Sequence, residues 1–95
     1  MKIIKTSNSR ISTTDFSKLP FGRIFSDHML ICHYKDGNWS TPQIQPYGPI
    51  NMFPGTQVLH YGQSVFEGMK AFKNNNDEVL LFRKEENFKR LNQSA

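Results

Sequence analysis

This 95-residue chain has little with which to lock itself covalently or to cross a membrane. Cys32 is its only cysteine, so it can form no internal disulfide and no cysteine metal cluster, and it suits a reducing cytoplasm. Long apolar runs are missing too: the clear one, Met29 to Cys32, is far below the roughly 20 residues a bilayer-spanning helix needs. A soluble protein with no membrane association is expected. Charge of one sign is also scarce. Twelve Lys and Arg against eight Asp and Glu leave a net +4, spread along the chain and interrupted by Glu85-Glu86. Nucleic-acid binding needs a concentrated basic face or a recognition motif, and neither is present.

Catalytic and metal signatures are as sparse. His28, His33 and His60 follow no ligand spacing, so Asp27-His28-Met29 reads as hairpin packing and no metal site is assigned. Ser64 lacks the Gly-x-Ser-x-Gly turn of a hydrolase nucleophile. Met1 to Arg10 is basic and hydroxyl-rich but has no extended amphipathic pattern, which fits an ordinary bacterial-type N-terminus better than a transit peptide.

What the chain does contain is β-forming sequence and one helix. Residues 1–18 are polar with scattered apolar positions and read as an N-terminal arm; Leu19-Pro20-Phe21-Gly22 opens the ordered region, 19–95. Ile24 to Lys35 favours strand, and Asp36-Gly37-Asn38 supplies a tight turn before Trp39. Pro42, Pro46, Pro49 and Pro54 remove backbone donors, so residues 41–55 are expected to hold only short or edge strands. Glu67 to Lys73 and Glu78 to Arg83 flank the turn-forming tract Asn74 to Asp77 and predict a second hairpin. From Lys84 the period is helical, with Phe88, Leu91 and Ala95 on one face and Glu85 and Glu86 in the first turn. The predicted class is α+β, a mainly antiparallel sheet with a helix packed on one face. No glycine or proline follows Ala95 to end that helix, which predicts a piece of a longer protein.

Two blocks stand out. Leu59-His60-Tyr61-Gly62-Gln63-Ser64-Val65-Phe66-Glu67-Gly68-Met69-Lys70-Ala71-Phe72 is expected to carry Tyr61, Phe66 and Gly68 on a bend into a strand. Leu81-Phe82-Arg83 and Asn87-Phe88-Lys89-Arg90-Leu91-Asn92-Gln93-Ser94-Ala95 then place Arg90 on the helix. With Phe21-Gly22-Arg23-Ile24-Phe25-Ser26-Asp27-His28-Met29-Leu30, these words occur in an order that resembles the branched-chain amino-acid aminotransferases, over about Leu19 to Ala95.

The resemblance implies the N-terminal portion of a class IV, fold type IV aminotransferase that uses pyridoxal 5'-phosphate (PLP) and is a cytoplasmic homodimer when full length. Its reaction moves the amino group between leucine, isoleucine or valine and 2-oxoglutarate, giving branched 2-oxo acids and glutamate, a step of branched-chain amino-acid biosynthesis. By the same likeness Arg90 anchors the PLP phosphate, while Phe21, Tyr61, Phe66 and Gly68 bound the substrate pocket, Tyr61 lent across a dimer interface. Lys70 matches a basic family position but is not the cofactor-binding lysine. That lysine lies beyond residue 95, so no catalytic residue is assigned and the fragment alone is expected to be inactive.

Each site residue also has a plainer reading. A helical Arg90 would pair with Glu86 four residues earlier; Tyr61, Phe21 and Phe66 would be core; Gly68 would mark a bulge or bend. The competing functions are a D-amino-acid aminotransferase or aminodeoxychorismate lyase of the same fold, and, from another class, a non-catalytic binding or interaction module.

Overall fold

The computed structural model describes residues 1–95, which fall into two compact units, Met1–Asn51 and Met52–Ala95. The chain is a small α+β protein of short, mostly antiparallel strands: the first unit holds strands and one 3₁₀ turn, and the second holds a hairpin and two α-helices, one of them at the C-terminal end.

In the first unit, strands β1 (Lys2–Ile3), β5 (Gln43–Pro46) and β2 (His28–Ile31) form one sheet in the order β1-β5-β2. β5 therefore lies at the centre; at four residues it is one of the short strands its prolines allow, but it is not an edge. The ladder shows why they are tolerated. Pro42 lies just outside the strand and contributes only its carbonyl, which accepts from the Lys2 N–H at 3.0 Å. Pro46 stands opposite His28 in the antiparallel pairing with β2. The next pair along is joined by the Tyr47 N–H donating to the Asp27 carbonyl at 2.9 Å, and antiparallel ladders alternate bonded with non-bonded pairs. Pro46 thus occupies a position where β2 asks for no donor.

Residues 1–18 are tied into this unit. β1 runs parallel to β5, and the Ile4 N–H donates to the Ile44 carbonyl at 2.9 Å. Past a 3₁₀ turn at Ile11–Thr13, Phe25 stacks on Tyr47 with ring centroids 5.0 Å apart and planes 7° from parallel. The separate hairpin β3 (Tyr34–Lys35) and β4 (Asn38–Trp39) turns on Asp36 and Gly37, both at positive φ (52° and 78°), as a two-residue hairpin loop requires. Asn38, expected in the turn, pairs instead with Lys35, and the Tyr34 and Trp39 rings sit 5.0 Å apart across the strands.

In the second unit, a five-residue helix α1 (Gln57–Tyr61) ends at Gly62, whose φ of 60° and ψ of 26° form a left-handed cap. The segment around Tyr61 was expected to be a bend into a strand. Its helical turn is set up by local bonds: the Thr56 hydroxyl donates to the Phe53 carbonyl at 2.7 Å, and His60 Nε2 donates to the Pro54 carbonyl at 2.6 Å.

The second hairpin pairs β6 (Ala71–Lys73) with β7 (Val79–Leu81). Asn74 organises its turn, since Oδ1 accepts from the N–H groups of Asn76 and Glu78 at 2.9 and 3.0 Å. Both strands are shorter than the sequence predicts, and each loss has a cause. Gly68 gives its N–H to the Glu67 carboxylate, so that donor is not left for a ladder, and its carbonyl accepts from Asn87. Arg83 adopts φ 50°, which stops β7 and turns the chain into α2 (Lys84–Ser94).

Helix α2 begins where its period predicts, with Glu85 and Glu86 in its first turn. Its apolar face is not covered as expected: Phe88 remains 53% exposed, and the long-range side-chain bonds of α2 run to Glu67 and Gly68. More generally, no residue in either unit is buried. The most protected positions, among them Met29, Ile31, Ile44, Glu67, Asn87 and Leu91, are only half-buried. No helix is long and apolar enough to cross a membrane.

Candidate functional site

Arg90 lies in the second turn of α2, on the side that meets the segment leaving Gly62. Its Nε donates to Glu67 Oε2 at 2.6 Å and its Nη2 donates to Oε1, a paired contact across 23 residues. Paired guanidinium–carboxylate bonds of this kind are directional as well as charge-assisted. Glu86, the partner expected from helical spacing, is taken by Lys89 at 2.9 Å, and this leaves Arg90 to its distant partner.

Glu67 is held from three sides. Besides Arg90, its Oε1 accepts the Gly68 N–H at 2.9 Å and Asn87 Nδ2 at 3.3 Å. Asn87 Nδ2 also donates to the Gly68 carbonyl at 2.8 Å. The Glu67 side chain is 11% exposed, and its carboxyl is pushed down to about 2 by the hydrogen bond from Arg90 first, against the opposing effect of burial, with Asn87, the Gly68 N–H and the Arg90 charge adding to the fall. Reciprocally, the Glu67 carboxylate raises Arg90 above its ordinary value. The guanidinium itself is 66% exposed. Beside it opens a shallow recess of about 320 Å³ lined by Phe82, Arg83, Glu86, Asn87 and Arg90.

Of the sequence-predicted site residues, Arg90 and Gly68 are thus brought together, through Glu67 and Asn87. Tyr61 ends α1 at 84% exposure and Phe66 is 92% exposed; neither lines the recess beside Arg90. Phe21 belongs to the first unit, in a turn and fully exposed. The residues that sequence reasoning passed over are Glu67 and Asn87. The link from Glu67 to Arg90 follows no helical or strand period that could have revealed it. No group of three or more His, Cys, Asp or Glu side chains is gathered anywhere in the chain.

In the first unit, a second recess of about 430 Å³ is walled by Ile11, Phe16, Leu19, Ile24 and Phe25 with Asp27 and His28 at its rim. There the Thr6 N–H donates to His28 Nε2 at 3.0 Å, so both rim side chains are occupied in holding residues 1–18.

No family model matches the chain. Individual relatives do. Branched-chain-amino-acid aminotransferase 2 of Bacillus subtilis strain 168 is 47% identical over 92 residues, which is 96% of this chain and 25% of that protein. A probable branched-chain-amino-acid aminotransferase of Staphylococcus aureus strain N315 is 57% identical over 79 residues, 82% of this chain and 22% of that protein. The branched-chain-amino-acid aminotransferase of Monosiga brevicollis is 41% identical over 93 residues, 97% of this chain and 24% of that protein. The chain spans about a quarter of the length of these curated relatives. Over nearly all of its residues, it belongs to the branched-chain amino-acid aminotransferase family.

Proposed function

We propose that these residues are the N-terminal portion of an enzyme that moves the amino group between leucine, isoleucine or valine and 2-oxoglutarate. Residues 19–95 are then part of the small N-terminal domain of the class IV aminotransferase fold, with 1–18 as its arm. The reading is supported by identities of 41–57% to proteins of that name across most of the chain. Those names favour it over a D-amino-acid aminotransferase, an aminodeoxychorismate lyase or a non-catalytic module.

The cofactor is PLP, which when bound supplies the electron sink for amino transfer. The donor set of the second unit fits its phosphate. Arg90 commits Nε and one Nη2 hydrogen to Glu67, which leaves Nη1 and the outer end of a planar, permanently charged fork for an oxyanion. Arg83 lines the same recess, and the carboxylate of Glu86 there is neutralised by Lys89.

The chain's own tasks are to bind and to wall. Arg90 holds the phosphate so that the cofactor stays in register through both half-reactions. Phe21, Tyr61 and Phe66 supply flat apolar surfaces for branched side chains, and Gly68 permits close backbone approach. The exposure of these rings in the separate units suits surfaces completed by the remaining length of such an enzyme and by a second subunit, in a cytoplasmic homodimer. No lysine among residues 1–95 is assigned to hold the cofactor, so the isolated chain is inactive.

The test is transamination. Expressed from its complete reading frame and supplied with PLP, the protein should convert leucine, isoleucine or valine and 2-oxoglutarate to the branched 2-oxo acid and glutamate, whereas the 95 residues alone should turn over none of them. Turnover by the 95 residues would refute the fragment reading, and inertness of the complete product toward all three amino acids would refute the reaction.

A further inference from the structure

Arg90 makes its pair with Glu67 along one particular edge. The carboxylate meets the Nε/Nη2 side of the guanidinium, and no bond engages Nη1. A guanidinium is planar and rigid, so fixing that side fixes the direction of the Nη1/Nη2 end as well. Glu67 is itself immobilised: its Oε1 receives the Gly68 N–H and the Asn87 amide, and Asn87 is anchored in turn on the Gly68 carbonyl. The side chain doing the holding is 11% exposed and the one being held is 66% exposed, which is the arrangement of a support beneath a presented group.

We propose that Glu67 is the positioning residue of Arg90, turning its free Nη1/Nη2 end toward a phosphate monoester dianion; this rests on the phosphate role proposed above for Arg90. Asn87 and the Gly68 backbone complete the support. A carboxylate beside an anion site would ordinarily act as a competitor. Here it takes the side-on edge and leaves the end-on edge open, and its other donors keep it in place when an anion arrives. The electrostatic loss is offset locally, since Arg83 lines the recess and Lys89 neutralises Glu86. The gain is preorganisation: a long arginine side chain otherwise loses several rotamers on binding.

Inorganic phosphate titrated into the 95-residue chain, with binding followed through the phosphate's own ³¹P signal and the pair through the Arg90 Nε–H by ¹⁵N NMR, tests this without any turnover. The unsubstituted chain should show a slowly exchanging Nε–H and a response to phosphate. Glu67→Gln should weaken phosphate binding about tenfold, the scale on which losing an orienting partner acts, and should speed Nε–H exchange with water. Asn87→Ala keeps both charges and should produce the same two changes more weakly; should Glu67→Gln lose its fold, judged by the β6–β7 amides, this variant decides. Arg90→Ala should abolish the response. If Arg90→Ala abolishes binding but Glu67→Gln or Asn87→Ala leaves it unchanged or tightens it, Glu67 is a competitor or a bystander and the positioning role is overturned. If the unsubstituted chain ignores phosphate, or Arg90→Ala binds it normally, the phosphate role of Arg90 falls and the positioning role with it, even though the Nε–H signal still reports the pair.

Discussion

Arg10 closes on Asp27 through both its backbone and its side chain: its N–H and its Nε reach the carboxylate at 3.2 and 3.3 Å, while its Nη2 donates to the Phe25 carbonyl at 2.8 Å. The Ser9 hydroxyl adds a 2.6 Å bond to the same carboxylate. These contacts join the N-terminal arm to the start of β2, so Asp27→Asn should loosen the arm. The Ile4 N–H, bonded to Ile44, should exchange with solvent faster while the β3–β4 amides stay unchanged. Asp27 is held below its ordinary 3.8 chiefly by the Ser9 hydroxyl, then by the Arg10 N–H, so the docking is present above that value and weakens as pH falls below it. Equal exchange at Ile4 in both proteins would refute this.

A second acid effect belongs to Glu67. Its carboxyl lies near 2 in the folded chain against 4.5 for the free group, so the unfolded state binds the proton more readily in between. The contribution of the Glu67–Arg90 pair is therefore complete above pH 4.5 and is lost as pH falls from there through about 2. The Glu67 side-chain carboxyl carbon, followed by NMR, should titrate near 2, and in Arg90→Ala its midpoint should rise toward the ordinary value. A midpoint near 4.5 in the unsubstituted chain would show that the pair does not form in solution.

Replacing Arg90 with Ala in the complete protein should weaken PLP retention on the order of ten- to a hundredfold, as expected on losing a charge-assisted contact to a phosphate. Equilibrium dialysis against PLP measures it. Unchanged affinity would remove Arg90 from the cofactor site.

Local chemistry accounts for what could be read from the residues alone. The helix from Lys84, the turn at Asp36-Gly37 and the asparagine turn after Lys73 each depend on neighbours within a few positions, and each forms where expected. The departures come from distant partners. β5 is short, as its prolines predict, yet central, because Pro46 faces a position of β2 that needs no donor. Around Gly68, ahead of strand β6, the Glu67 carboxylate takes the backbone donor and Asn87 bonds the carbonyl. At the candidate site, the resemblance singles out Arg90 but not its partner Glu67, since a pair 23 residues apart leaves no period in the sequence.

The apolar surface has a consequence in solution. With no residue buried and Phe21, Phe53 and Phe66 almost fully exposed, the isolated chain presents more apolar surface than a monomer ordinarily leaves to water. Sedimentation velocity over a rising concentration series should therefore show self-association or aggregation. A single monomeric species at high concentration would contradict it.

The β3–β4 hairpin rests on backbone conformation rather than on packing. Gly37 sits at φ 78°, and a Cβ built there would meet nothing within 4 Å. Any penalty for adding one is therefore conformational, about 1 to 2 kcal/mol for an L-residue forced into the left-handed region. A two-stranded hairpin is marginal by itself, so that penalty is large relative to its own stability. Gly37→Ala should open the Ser40 N–H bond to the His33 carbonyl, 2.7 Å long in the structure, and raise its exchange rate about tenfold or more. Gly37→Asn should cost less, because asparagine visits the left-handed region readily while alanine does not. Equal exchange rates for the two variants would show that the turn does not hold Gly37 at positive φ in solution.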